Sequence, residues 1–247
     1  MKMTVSEKGK KTYIKVDDES FISHPETLIK YHRYINQEID LKTLNALKAD
    51  NLYFHTFSKA LKKLSYKAYS QKALEEALKD APIHIVKQVI TELKSLGYLD
   101  DLKLLKQYRE DFFYQAYALK SYQIKLIQKG FIKQDIEKAF ETIDVNEKER
   151  CLEILNKKVS LFSKEPLQKQ KEKLKRYGLS LGYSYDVIDG VLSTMTFSTP
   201  NEKDLLEKEL KKYPKPKDYQ EKEKLKAKLF RRGYQLSDIE KALKEDS

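Results

Sequence analysis

The sequence predicts an all-α fold of tandem three-helix repeats in an elongated, curved array, with a small β-hairpin extension at the N-terminus. Three observations predict it. Apolar residues recur at helical spacing from about residue 40 to the end. Glycine and proline are scarce, seven and six in 247 residues, which disfavours a turn-rich β fold. A Gly-aromatic pattern also returns three times at near-equal intervals, the mark of a repeat protein. Hydrophobic residues make up 40% of the chain and charged residues 35%, an apolar share below the globular average. A thin arrangement needs less core per residue and suits such a composition.

The N-terminus reads as β. Thr12, Tyr13, Ile14, Lys15 and Val16 alternate polar with β-branched or aromatic residues, Asp17 to Ser20 make a turn, and Phe21 and Ile22 follow. Two or three short strands are not stable alone, so the hairpin must lean on the helices that come next. From residue 40 the period is helical. Phe54, Phe57, Leu61 and Leu64 share one face, as do Ile83, Val86, Ile90 and Leu93 behind a helix entrance at Pro82. The longest helix is expected after Asp100 and Asp101, whose charges favour a helix N-terminus, with Leu105, Tyr108, Phe112, Ala116 and Leu119 along one stripe. Pro166, Pro200, Pro214 and Pro216 fall where helices should begin or end.

The repeat is the most informative feature. Gly130-Phe131 precedes Ile136, Ala139 and Phe140; Gly182-Tyr183 precedes Ile188, Val191 and Leu192; Gly233-Tyr234 precedes Ile239, Ala242 and Leu243. The glycines lie 52 and 51 residues apart. A helix can end at a left-handed Gly, the aromatic covers the end of the core, and a further helix packs back through the three apolar positions. Ser237 and Glu240 have the spacing of a capping box. Gly97-Tyr98 marks an earlier turn of this kind, and an upstream copy without Gly, from Leu64 to Leu78, makes Ser70 a helix cap. The expected organisation is 1–40 hairpin extension, then repeats at 41–97, 98–145, 146–196 and 197–247.

No catalytic constellation is visible, and the chain reads as non-enzymatic. His24, His32, His55 and His84 lack the i, i+4 spacing of a helical metal pair. Cys151, the single cysteine, sits in a helical apolar pattern and reads as packed. It excludes an intramolecular disulfide, and a thiol-ligated metal would need more sulfur. The glycines are scattered singly, without a phosphate-cradling loop. Neither a metal nor another cofactor is expected. With no signal-like segment and no run of 18 apolar residues, the expectation is a cytoplasmic, monomeric protein without a membrane partner.

The charge is more telling. The net charge is +11, and residues 157–178 and 203–232 each carry +6, so the excess lies in the C-terminal half. Lys169, Lys171, Lys173, Lys175 and Arg176 crowd one predicted helix; Lys222, Lys224, Lys226, Lys228, Arg231 and Arg232 crowd its counterpart in the last repeat. If repeats stack regularly, these cations line one concave strip suited to a polyanion or an acidic protein. Tyr177, Tyr183, Tyr185, Tyr213, Tyr219 and Tyr234 are interleaved and could stack on bases where exposed; those beside Gly read as half-buried caps.

Leu96-Gly97-Tyr98-Leu99-Asp100-Asp101 followed by an aromatic-bearing helix resembles the signature of RecX regulatory proteins. Leu126, Lys129, Gly130, Phe131 and Ile136, with the Gly182 and Gly233 copies, are similar to that family's tandem three-helix repeats. The hairpin resembles the extension of its members from low-GC Gram-positive bacteria. The likeness runs from about residue 10 to the end. It departs at Lys67 and Tyr69, where members often carry Arg, and in lacking a Gly near Lys120 and Ser121. The resemblance implies a protein that lies in the groove of the RecA recombinase filament on DNA and lowers its ATPase, strand-exchange and co-protease activities. Two other functions fit the residues: a sequence-nonspecific module for single-stranded DNA, and a helical scaffold for an acidic protein.

Overall fold

The computed structural model describes residues 1–197 and 201–245. Three strands come first: β1 (Met3–Lys8), β2 (Lys11–Val16) and β3 (Glu19–Ile22). Two helices follow, α1 (Pro25–Tyr31) and α2 (Leu41–Tyr66). Then come α3 (Gln71–Ala77), α4 (Ile83–Ser95), α5 (Asp101–Asp111), α6 (Leu119–Gln128) and α7 (Lys133–Phe140). The rest is α8 (Glu147–Val159), α9 (Leu167–Ser180), α10 (Tyr185–Thr194), α11 (Glu202–Leu210), α12 (Tyr219–Arg231) and α13 (Leu236–Glu245). Mostly helical with a small N-terminal sheet, the chain has the fold class that its sequence predicts. Pro200 lies outside the described residues.

The predicted hairpin is β2–β3, turning at Asp17 with φ 51°, and it is widened by β1 into an antiparallel sheet ordered β1-β2-β3. Met3, Ile14 and Val16 are buried against Tyr31, Ile39, Leu44 and Leu47, so the sheet does lean on the first long helix. The first forty residues also hold a helix that the hydrophobic pattern did not announce. His24 begins it: its Nδ1 accepts from the Glu26 N–H at 3.2 Å, while Nε2 lies 2.7 Å from Ser58 Oγ.

That cap has a pH consequence. Burial and the neighbouring charge of His55 push the His24 pKa below its usual 6.5, against the pull of Glu26. Nδ1 must be unprotonated to accept, so the fold favours the neutral ring. A depressed folded pKa means stability that is fully present above about 6.5 and lost as pH falls through the folded value. Urea titrations between about pH 7.5 and pH 5 are expected to show a decline at the acid end. His24→Asn keeps a capping acceptor without titrating and should remove part of that decline; an unchanged profile would exclude His24 as its source.

Three expectations need correction. The longest helix is α2, 26 residues, because the one starting at Asp101 stops at Asp111 and passes through a 3-10 turn, Phe112–Tyr114. Phe112 is buried there against Tyr122 at 5.3 Å, which turns the chain out of its helical course. Ile83 is exposed although Val86, Ile90 and Leu93 are buried, since it sits on the first turn of α4. Ser237 is no cap: α13 starts at Leu236, so Ser237 is already helical, and Glu240 faces Lys226 at 3.5 Å. Other caps are where the sequence puts them. Ser70 Oγ accepts from Ala73 N, Asp100 accepts from Lys103 N, and Pro82 and Pro166 open α4 and α9.

The chain packs as two compact units, Met1–Arg109 with Leu126–Glu141, and Glu110–Lys125 with Thr142–Ser247. In the first, α2, α3 and α4 enclose Ala60, Leu74, Val89, Ile90 and Leu93. In the second, Cys151, Leu155, Leu174, Ile188 and Val191 form one core; Leu206, Leu229, Tyr234, Ile239 and Leu243 form another.

The repeat glycines take φ of 93° at Gly130, 89° at Gly182 and 95° at Gly233, as a left-handed helix end requires. Each also lies against the start of an earlier helix. Within the first unit Ser70 Oγ donates to Lys129 O at 2.6 Å, beside Gly130. Within the second, Ala118 N donates to Leu181 O at 3.1 Å while Gly182 touches Ser121, and Gly233 touches Lys169. The glycine therefore serves the turn and the packing of one helix end on another.

Candidate basic interface

A step of two residues swings a helical side chain by about 200°, so the alternating lysines of α9 fall on two sides of it. Lys169, Lys173 and Arg176 share one side. Lys169 and Arg176 flank Glu172 at 2.6 and 2.7 Å, and Lys173 pairs with Glu165. The Lys169 bond and the surrounding cations hold the Glu172 carboxyl below the usual range. Lys171 and Lys175 share the other side. Lys175 meets Asp189 at 2.7 Å and Lys171 lies 5.4 Å from the Phe197 ring. Much of the charge that crowds α9 in sequence is thus matched by carboxylates in space.

The α12 helix differs. Lys226 is half-buried between Glu223 at 2.7 Å and Glu240 at 3.5 Å, Lys222 donates to Leu243 O at 3.3 Å, and Arg232 pairs with Glu209. Burial of Glu209 opposes its ionisation, yet Lys212, Tyr213 and the Arg232 charge keep its pKa below the usual value. Lys224, Lys228 and Arg231 are exposed and have no carboxylate partner among the described residues. Their spacing of four and three places them on one face. Arg231 Nε returns to Ala227 O at 3.2 Å, and Lys228 lies 4.4 Å from the Tyr213 ring. These three cations form an uncompensated cluster on α12.

The tyrosines divide by burial. Tyr183 and Tyr234, beside the repeat glycines, are buried outright, and their hydroxyls donate to Ala116 O at 3.3 Å and Leu205 O at 3.2 Å. Burial pushes Tyr183 up to about 12. Tyr177 and Tyr213 are half-buried, while Tyr185 and Tyr219 are exposed. Tyr98 beside Gly97 is exposed too, because Leu99 fills the core in its place.

Cys151 is buried in α8, and burial together with Glu147 raises its pKa to about 11; at neutral pH it is an unreactive thiol. Among the described residues no three His, Cys, Asp or Glu side chains gather to hold a metal, and no helix is long and apolar enough to cross a membrane.

One positioning residue left no signal in the sequence. Arg150 on α8 donates to Phe112 O at 2.7 Å, to Tyr117 O at 3.4 Å and to Gln115 O, and its guanidinium lies 4.2 Å from the Phe112 ring. It ties together carbonyls of the break after α5, adding a second donor at Phe112 O, which also accepts from Gln115 N at 3.0 Å. Nothing local marks it, since its partners lie 33 to 38 residues earlier.

The family model described as "RecX, third three-helix domain" matches residues 146–192 and again 203–243. One three-helix pattern therefore fits α8 to α10 and α11 to α13 in turn. The regulatory protein RecX of Streptococcus pyogenes serotype M1 is 32% identical over 260 residues, covering 97% of each chain. That of Streptococcus mutans is 29% identical, with 99% of each chain covered. A crystal structure of a regulatory protein RecX has the same fold, with a TM-score of 0.55 over 77% of this chain and 98% of its own at 20% identity. Similarity this long, joined to the recurring three-helix pattern, establishes that the chain belongs to the RecX family of regulatory proteins.

Proposed function

We propose that this chain is a non-catalytic regulator that binds the RecA recombinase filament on DNA and lowers its ATPase, strand-exchange and co-protease activities. Its four helical repeats, at 41–97, 98–145, 146–196 and 197–247, follow the hairpin extension and work as a monomer in the cytoplasm. The observation that carries most weight is the α12 face. Lys224, Lys228 and Arg231 keep their charge unmatched beside Lys226 and Arg232, which are paired. Long cationic side chains on one helix face suit phosphate contact without base reading. The cations of α9, Lys169, Lys171, Lys173, Lys175 and Arg176, all but Lys171 ion-paired, contribute a weaker field.

The test is RecA ATPase on single-stranded DNA titrated with this protein, with binding to the same DNA measured in parallel. Inhibition well below one protein per recombinase, with weak binding to bare DNA, is the expected result. Lys224→Glu, Lys228→Glu and Arg231→Glu together should raise the concentration for half-inhibition about tenfold. Any salt slope on bare single strands should fall by about 0.7 per lost phosphate contact. No inhibition at equal stoichiometry would sink the proposal. Inhibition only when the protein saturates the DNA would favour a sequence-nonspecific single-stranded DNA module.

A further inference from the structure

A second face of the last repeat has the makings of a peptide site. Between α11 and α13 runs a groove of about 460 Å³, with Leu206, Leu210 and Ala242 on its floor and Lys203, Lys211 and Lys241 on its rim. Aligning the sequence of the repeats by the 51-residue step from Gly182 to Gly233 shows its origin. Lys203, Leu206, Leu210, Lys241 and Ala242 take the places of Leu152, Leu155, Val159, Gly190 and Val191. In the preceding repeat Leu155 and Val191 are buried in the core, and Leu152 and Val159 pack against it. A smaller residue at Ala242 opens that seam in the last repeat, and lysines at 203 and 241 line the opening.

The charges are as telling as the shape. Lys203, Lys211 and Lys241 are exposed and have no carboxylate partner among the described residues. Glu207 and Asp238 share the rim with these three lysines, which leaves the five net positive by one. An apolar floor of a few leucine-sized surfaces inside a cationic rim discriminates against bare phosphate chains, which gain nothing from the floor. It favours a segment that offers carboxylates outside and a large apolar side chain inside, the helix-in-groove mode of peptide recognition. We propose that this groove docks an acidic amphipathic peptide segment of a protein partner. It is a site separate from the Lys224, Lys228 and Arg231 face, and it does not depend on the recombinase reading.

The probe is a fluorescein-labelled short peptide of Asp and Glu carrying Leu and Phe one helical turn apart, followed by anisotropy with the full chain. Saturable binding is expected. Lys203→Glu with Lys241→Glu should weaken it about tenfold or more by replacing attraction with repulsion. Ala242→Leu, which fills the floor, should weaken it similarly while leaving binding to an oligothymidylate unchanged. Matching thermal melts for the variants will show that they fold. The proposal is overturned if wild type fails to bind the peptide. It is equally overturned if a peptide with Ser for Leu and Phe binds as well, or if Ala242→Leu binds with unchanged affinity. Failure on any of these counts leaves the α12 face untouched.

Discussion

Arg150→Ala is expected to destabilise the unit built from Glu110–Lys125 and Thr142–Ser247 by about 3 kcal/mol, from the loss of its charged hydrogen bonds to the backbone, although Phe112 O keeps Gln115 N as a donor. The guanidinium reaches three carbonyls, Phe112, Gln115 and Tyr117, from one side chain, and its face covers the Phe112 ring. Truncation removes the donors and the ring contact together. Water can reach only part of the segment, because Phe112 and Ala118 on either side are buried. Arg150→Lys should recover less than half of the loss, since a single ammonium cannot span the fork that meets three acceptors. Urea unfolding with a probe in this unit checks both. A loss below about 0.5 kcal/mol for the alanine variant would mean that the 112–117 turn is held by its own packing instead.

The same turn explains why part of the fold could be read from sequence and part could not. Helix ends at Gly130, Gly182 and Gly233 follow from a local rule: only glycine takes φ near 90° cheaply, and the apolar positions after it repeat. The β2–β3 alternation and the Ser70 cap are local signals of the same sort. The break at Phe112 is not local. Leu105, Tyr108, Phe112, Ala116 and Leu119 keep helical spacing across it, and the turn is bridged by a residue 38 positions after Phe112. Spacing alone could not foresee that.

The basic segments teach the same lesson about sites. Lysine counts point to α9 and α12, but which cations stay available depends on acids on other elements. Asp189 on α10 takes Lys175, Glu209 on α11 takes Arg232, and Glu240 on α13 approaches Lys226. Composition treats Lys175 and Lys224 alike. Packing separates them, leaving Lys224, Lys228 and Arg231 as the cluster to test.

Gly182→Ala is expected to cost about 3–4 kcal/mol, more than a glycine turn alone would. Two effects combine. At φ 89° an alanine pays about 1–2 kcal/mol for the left-handed backbone. In addition, its Cβ would stand 2.3 Å from Ser121 Cβ and 2.6 Å from Ser121 Oγ, so helix α6 or the turn must move, an overpacking cost of about 1–3 kcal/mol. A double-mutant cycle separates them. Ser121→Gly removes the atoms that the new Cβ would strike, so in the Gly182→Ala background it should return about 1–2 kcal/mol while the backbone cost remains. Gly190→Ala is the control: its φ is not in the left-handed region, no atom lies within 4 Å of its ideal Cβ, and it sits inside α10. It should raise stability by about 0.5–1 kcal/mol, as alanine does for glycine in a helix. Additive effects of Ser121→Gly and Gly182→Ala would mean that the repeat glycine answers only to its own turn. A favourable coupling would show that one residue sets both the local turn and the packing of the helix end it closes on α6.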